Sequence, residues 1–262
     1  MGKQKLFSIV TVAYNAESLI EGTMMSIFNQ TFTDYEYIVI DGNSSDATMK
    51  IISQYSKRID IVVSEPDKGI YDAMNKAIVL ASGEYVIFMN CGDCFYSSAV
   101  LERVSKSIVL HDSDVIYGNT VIDTVVGKYI VYPQRLDKEI RKRMPFCHQS
   151  SFLKTNVAKK YLFDLSFKEV ADYDMFMRIY NDGYSFDYIN EIIAIYEMRD
   201  TDGIHSYKRT LEAANVSHNI FVYCIAYKRL TGSYVRKLFP DCVYKTYRRL
   251  KYAFKSNYKY ID

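Results

Sequence analysis

The 262-residue chain contains no tryptophan and only four prolines, and its Lys and Arg nearly balance its Asp and Glu, leaving a net charge of +2. So small a net charge gives no global field that would draw nucleic acid. No apolar run reaches the roughly 18 residues a membrane span requires. The run from Leu6 to Ala13 is also too short to serve as the core of a cleaved leader. The five cysteines, at 91, 94, 147, 224 and 242, are odd in number and irregular in spacing. They form no disulfide framework and fit a reducing cytosol. Cys91 and Cys94 make a single Cys-x-x-Cys, and the second pair that a structural zinc site usually needs is missing. No Gly-x-Gly-x-x-Gly follows the first strand, where Ala13-Tyr14-Asn15-Ala16 stands instead. That argues against a dinucleotide-dependent oxidoreductase.

Apolar content is ample at 49%, and the first hundred residues arrange it in alternating periods. Phe7–Ala13, 35–40, 59–63 and 85–89 read as buried strands. Residues 17–29 place Leu19, Ile20, Met24, Ile27 and Phe28 on one helical face, and Ile70, Met74, Ala77, Ile78 and Ala81 do the same over 69–81. Asn43-Ser44-Ser45-Asp46 is turn and cap chemistry for a helix between them. The βαβαβαβ pattern predicts a parallel sheet with helices on both faces. Ligands of such sheets sit outside the carboxyl ends of the strands. The segment from Ser64 to Asp93 puts Asp67, Asp72 and Asp93 near those ends.

The second half reads as an accessory lobe. A strand at 114–118, irregular strands around Gly127, a basic loop at 135–145, short helices at 154–160 and 172–182, and a last strand at 189–196 are expected. Arg141, Lys142 and Arg143 suit an anion or a solvated loop. From Lys228 onward ten Lys or Arg face only Asp241 and Asp262, with aromatic residues interleaved. This is the composition of a helix at an anionic membrane surface, or of a solvated basic helix packed on the domain.

Five elements, in order, resemble the family 2 glycosyltransferases of the GT-A fold, of the bacterial cell-surface polysaccharide type. They are Ser8-Ile-Val-Thr-Val-Ala-Tyr-Asn15, Val39-Ile-Asp-Gly-Asn-Ser-Ser-Asp46, Glu65-Pro-Asp-Lys-Gly-Ile-Tyr-Asp-Ala-Met-Asn-Lys76, Gly83 to Asp93, and His148-Gln149 with Ala171-Asp172-Tyr-Asp174 and Arg178. The resemblance covers about residues 6–200. It implies an α/β GT-A fold with a nucleotide-sugar-binding half at 1–105 and an acceptor-binding, catalytic half at 106–200. Residues 201–262 would then be a helical, basic and aromatic extension.

The resemblance also implies an inverting transfer of a hexose-type sugar. The donor would be a nucleotide diphosphate sugar, UDP-linked, and the acceptor a lipid-linked or oligosaccharide hydroxyl. Tyr14, Asn15, Asp41, Asp67, Lys68, Asn90 and Asp93 would bind the donor. Asp93 would hold Mn²⁺ or Mg²⁺, although the usual Asp-x-Asp-Asp is here Asn90-Cys91-Gly92-Asp93. Asp172 would be the catalytic base, with Asp174 the alternative on the same helix. His148, Gln149 and Asp174 would contact the acceptor or the sugar. The location implied is cytoplasmic, with residues 228–262 as a peripheral contact on the inner face of the cytoplasmic membrane. The missing carboxylates at 90, 92 and 171 leave one competing reading, a non-catalytic nucleotide-sugar-binding protein.

Overall fold

The computed structural model describes residues 4–124, 127–197, 203–217 and 257–261. Its first half is built on four parallel strands, β1 (Phe7–Ala13), β2 (Tyr35–Asp41), β3 (Ile61–Ser64) and β4 (Tyr85–Phe88), in the order β3-β2-β1-β4. Helices α1 (Ile20–Phe28), α2 (Thr48–Gln54) and α3 (Ile70–Leu80) make the crossovers. Successive strand residues point to opposite faces, and β1 divides the core accordingly. Phe7, Ile9 and Ala13 share one cluster with Ile20, Met24 and Ile27 of α1 and Ile52 of α2. Val10 and Val12 share the other with Ala73, Met74, Ala77 and Ile78 of α3. Covering both faces is what a parallel sheet requires, and it explains why β1, β2 and β4 are buried without alternation, while the edge strand β3 alternates. The third strand is Ile61–Ser64, not 59–63, because residues 56–58 close a 3₁₀ turn first.

The sheet continues beyond β4 with antiparallel strands. After the two-residue β5 (Cys94–Phe95) and α4 (Val100–His111), β6 (Val115–Thr124) and β7 (Gly127–Val131) form a regular hairpin where irregular strands were expected. The segment 135–145, expected as loop, contains the short helix α5 (Leu136–Glu139). Strand β8 (Ser151–Lys154) then lies between β4 and β6 and joins the two halves into one sheet. Helices α6 (Thr155–Tyr161) and α7 (Ala171–Asn181) extend the α3 side of the core through Val157, Ala158, Met175, Phe176 and Ile179. Strand β9 (Phe186–Glu197) returns parallel to β6 and also pairs with β5.

Beyond it, α8 (Gly203–Ser217) and β10 (Tyr258–Ile261) are described, and β10 is antiparallel to β7. The expected helical extension is therefore corrected at its end: residues 258–261 are an edge strand. The rest of the basic, aromatic stretch lies outside the described residues. Among the described residues no helix is long and apolar enough to cross a membrane.

Candidate active site

One open cleft of about 1710 Å³ runs along the carboxyl ends of β1, β2 and β4 and under the accessory half. At the ends of β1 and β2 the loops that follow these strands are tied together. The Asn15 backbone N–H donates to Ser44 Oγ at 2.9 Å, and Asn15 Oδ1 accepts from the Ser45 N–H at 2.9 Å. Asp46 accepts from the backbone N–H groups of Glu17 and Thr48, one position ahead of Ala47, which is the N-cap of α2 and has no side-chain cap. Asp41 is wholly buried, and its carboxylate accepts from the Ser44 N–H at 3.0 Å, the Ser44 hydroxyl and the Ser64 hydroxyl at 2.7 Å. It braces the pocket from behind and does not line it.

The exposed group here is Tyr14, with two-thirds of its surface open. Beside it, Asp67 divides its carboxylate: Oδ1 accepts from the Gly69 N–H at 2.8 Å, closing the turn before α3. Oδ2 faces Gly42, where a Cβ would lie 2.5 Å from it and 3.3 Å from the Tyr14 ring. Gly42 is thus glycine for want of room, and it lines the cleft with Tyr14 and Asp67. Sequence reasoning passed over Gly42. Lys68 is exposed and is not among the cleft-lining residues, unlike Pro66, Asp67 and Gly69 around it.

In the middle of the cleft, Asn90, Cys91, Gly92 and Asp93 form the loop after β4. Asp93 is 5% exposed. Burial pushes its carboxyl up to about 7, with Glu197 adding to the rise; the His148 charge, a hydrogen bond from Gln149 and the local backbone oppose it. Asn90 Oδ1 is buried with no hydrogen-bond partner among the described residues. A carboxylate short of partners beside an unpartnered amide oxygen is a donor set of hard oxygens. It fits Mg²⁺ or Mn²⁺, which complete their shells with substrate phosphates and water. No group of three His, Cys, Asp or Glu side chains able to hold a metal alone occurs among the described residues. Cys91 and Cys94 are free thiols, and burial pushes Cys91 up to about 12.

The accessory side supplies His148 and Gln149 from a 3₁₀ turn (His148–Ser150) and Asp172 from the first turn of α7. His148 Nδ1 is 3.0 Å from Asp172 Oδ2, and the Tyr71 hydroxyl donates to Asp172 Oδ1 at 3.2 Å. Burial acts to raise Asp172, but the His148 hydrogen bond and charge, with the Tyr173 N–H and the Tyr71 hydroxyl, outweigh it and hold the carboxyl below the usual range. Burial acts to lower His148, and the Asp172 hydrogen bond and charge, joined by Asp93, lift it above its ordinary value. Two consecutive residues therefore act on the two carboxylates: His148 is hydrogen-bonded to Asp172, and Gln149 opposes the rise of Asp93. Tyr71 was not singled out in the sequence, although it lies inside the Glu65–Lys76 element.

Asp174 behaves differently, and the expectation of a sugar or acceptor contact is corrected. It is not among the cleft-lining residues and pairs with Arg178 at 2.8 Å. Arg178 also donates to the Tyr161 and Leu162 carbonyls at 2.6 and 2.7 Å, so this pair fastens α7 to the end of α6. Of the basic loop, Lys142 and Arg143 reach the cleft rim, and both pair with Glu139.

The profile of glycosyl transferase family 2 matches residues 8–184. The chain belongs to this family. A PGL/p-HBAD biosynthesis glycosyltransferase of Mycobacterium tuberculosis is 28% identical over 197 residues, covering 73% of this chain and 76% of that protein. The Escherichia coli UDP-Glc:alpha-D-GlcNAc-diphosphoundecaprenol beta-1,3-glucosyltransferase WfgD is 31% identical over 135 residues, 50% of this chain and 53% of its own. Among solved structures, S. aureus TarS 1-349 with UDP-GlcNAc aligns at TM-score 0.64 and 21% identity, over 80% of this chain and 66% of that one. The mannosyltransferase PcManGT from Pyrobaculum calidifontis, with GDP-Man and Mn²⁺, aligns at TM-score 0.64 and 14% identity, over 97% and 82%. These likenesses show the fold, which is GT-A. The family 2 glycosyltransferase thus has homologues in surface glycan biosynthesis.

Proposed function

We propose that this glycosyltransferase moves a hexose-type sugar from a UDP-sugar to a hydroxyl of a lipid-linked or oligosaccharide acceptor, with inversion at the anomeric carbon. The observation that carries the reading is that Tyr14, Gly42 and Asp67, read as the base slot, open onto the same cleft as Asp93 and Asp172. Asn15 lines the cleft beside the slot, and Asp41 braces it from behind. The names of WfgD, which uses UDP-Glc and a diphosphoundecaprenol acceptor, and of TarS with UDP-GlcNAc lend support to the donor and acceptor classes.

In the proposed reaction the acceptor hydroxyl approaches Asp172 and passes its proton to that carboxylate. Its oxygen bonds to the anomeric carbon as the carbon–phosphate oxygen bond breaks, and the nucleotide diphosphate leaves. A single displacement from the opposite face inverts the centre. The barrier falls through positioning and proton removal. Asp93 and Asn90 would hold a divalent cation, which supplies charge neutralisation at the leaving diphosphate. Gln149 favours the charged form of Asp93, and His148 keeps Asp172 ionised. Among the remaining residues, the Lys- and Arg-rich stretch 228–262 is the candidate for contact with an anionic lipid surface, on composition alone.

A thermal-shift series tests the donor. UDP with Mn²⁺ is expected to raise the melting temperature more than ADP, GDP or NAD, because a ligand that binds only the folded state stabilises it by mass action. A larger shift with GDP moves the donor to the guanine class, and a larger shift with NAD sinks the reading.

A further inference from the structure

Tyr71 stands one residue into α3, two positions after the Gly69 that ends the nucleotide-side turn, and its hydroxyl reaches 101 residues along the chain to Asp172. The ring is packed against Phe163 at 5.3 Å between centroids. Its partner, Asp172, is held at the other oxygen by His148. Each oxygen of this carboxylate thus receives a donor from a different half of the molecule. With only the His148 contact, a carboxylate on the first turn of a helix can still rotate about its terminal torsion, which is broad and roughly two-fold. With both, its plane is set. Burial and the neighbouring Asp172 keep the Tyr71 phenol protonated far above its ordinary value, so it remains a donor at every working pH.

We propose that Tyr71 is a positioning residue that fixes the Asp172 carboxylate from the nucleotide half of the cleft. The same short segment closes the donor turn through Asp67 and Gly69 and orients the base through Tyr71, so donor and base are aligned by one piece of backbone. A carboxylate oxygen accepts more than one hydrogen bond, which leaves Asp172 able to receive the acceptor hydroxyl while Tyr71 stays in place. This inference rests on the reading of Asp172 as the base.

The test is a double-mutant cycle between Tyr71→Phe and Asp172→Asn. Activity is read as UDP released from UDP-glucose and from UDP-N-acetylglucosamine, and donor affinity by calorimetry with UDP. Tyr71→Phe removes only the hydroxyl and keeps the ring against Phe163. It is expected to lower kcat roughly 10- to 100-fold, the effect of one hydrogen bond to a charged group. UDP affinity and KM should stay close to those of the unaltered protein. In the Asp172→Asn background the same change should cost almost nothing further. If the two losses multiply in full while Asp172→Asn is itself crippling, Tyr71 acts through packing or the donor, and the proposal falls while the base reading stands. Full activity of Tyr71→Phe has the same meaning. If Asp172→Asn retains full activity, the base reading fails and takes this proposal with it.

Discussion

Each half of the molecule has a carboxylate that is used up by its surroundings and another that is left facing the cleft. In the nucleotide half, Asp41 ends β2 with hydrogen bonds from Ser44 and Ser64, whereas Asp93, in the loop after β4, is buried with few partners and pushed up to about 7. In the accessory half, Asp174 closes on Arg178, whereas Asp172, two residues earlier, faces the cleft between His148 and Tyr71. Local sequence treats the members of each pair alike: an Asp near a strand end, or an Asp in a helical first turn. What separates them is whether the neighbourhood completes their hydrogen bonding. Chemistry is available where it does not, or where the partners come from side chains that belong to the site.

The strongest attempt to break this contrast is within α7. Asp172→Asn keeps the size of the side chain, and transfer should fall by a factor on the order of 10²–10⁴, with UDP-sugar affinity close to normal. Asp174→Asn should leave transfer within a few-fold and instead lower stability by roughly 1 kcal/mol, measured by urea unfolding. The opposite ranking would exchange the two roles.

In the nucleotide half the contrast predicts two different losses. Asp93→Ala should remove the Mn²⁺-dependent part of UDP binding in calorimetry, leaving the metal-free affinity unchanged. Persistence of the metal effect in a folded variant would place the cation elsewhere. Asp41→Ala should act first on folding, at a cost of about 1–3 kcal/mol, because it removes the buried acceptor that ties Ser44 and Ser64 to the end of β2. A melting temperature equal to that of the unaltered protein would show that the Asp41 network carries no stability.

The smallest expected effect concerns pH. Asp172 is held below its unfolded value, so its contribution is present above about pH 4 and is lost as pH falls through the folded value. His148 is held above its unfolded value, so its contribution is complete below about pH 6.5 and is lost as pH rises through the folded value. Their pairing therefore stabilises most between about pH 4 and 6.5. Melting temperature in the absence of metal should decline from about pH 4 as the buried Asp93 carboxyl ionises and continue to decline above about pH 6.5, and His148→Gln should flatten only the upper part by a few degrees. An unaltered slope in that variant would mean that other groups set the pH dependence.

The parallel half was legible because its strands are buried on both faces and read as apolar runs such as Phe7–Ala13, with α1 and α3 marked by clear helical spacing. Helix α4 carried the same signal in Val100, Leu101, Val104 and Ile108 and was overlooked. Strands β5 and β10 are too short, at two and four residues, to show a period, and β10 sits in a basic stretch that suggested helix. The hairpin of β6 and β7 looked irregular because Thr120, Asp123 and Thr124 interrupt the alternation. At the site, the motifs located Asp93, Asp172, His148 and Gln149. Which of these meet depends on contacts across 24 to 101 positions, and spacing alone carries no record of those.

Gly42 has a consequence for substrate engineering. Its backbone does not demand glycine, yet a single methyl there would press on Asp67 and the Tyr14 ring. In the donor pocket proposed above, the position is therefore a place where a bump can be added to the wall. Gly42→Ala should discriminate against bulky base analogues before it affects folding. A donor trimmed at the matching edge should recover turnover, giving an enzyme and nucleotide pair that ignores the natural pool.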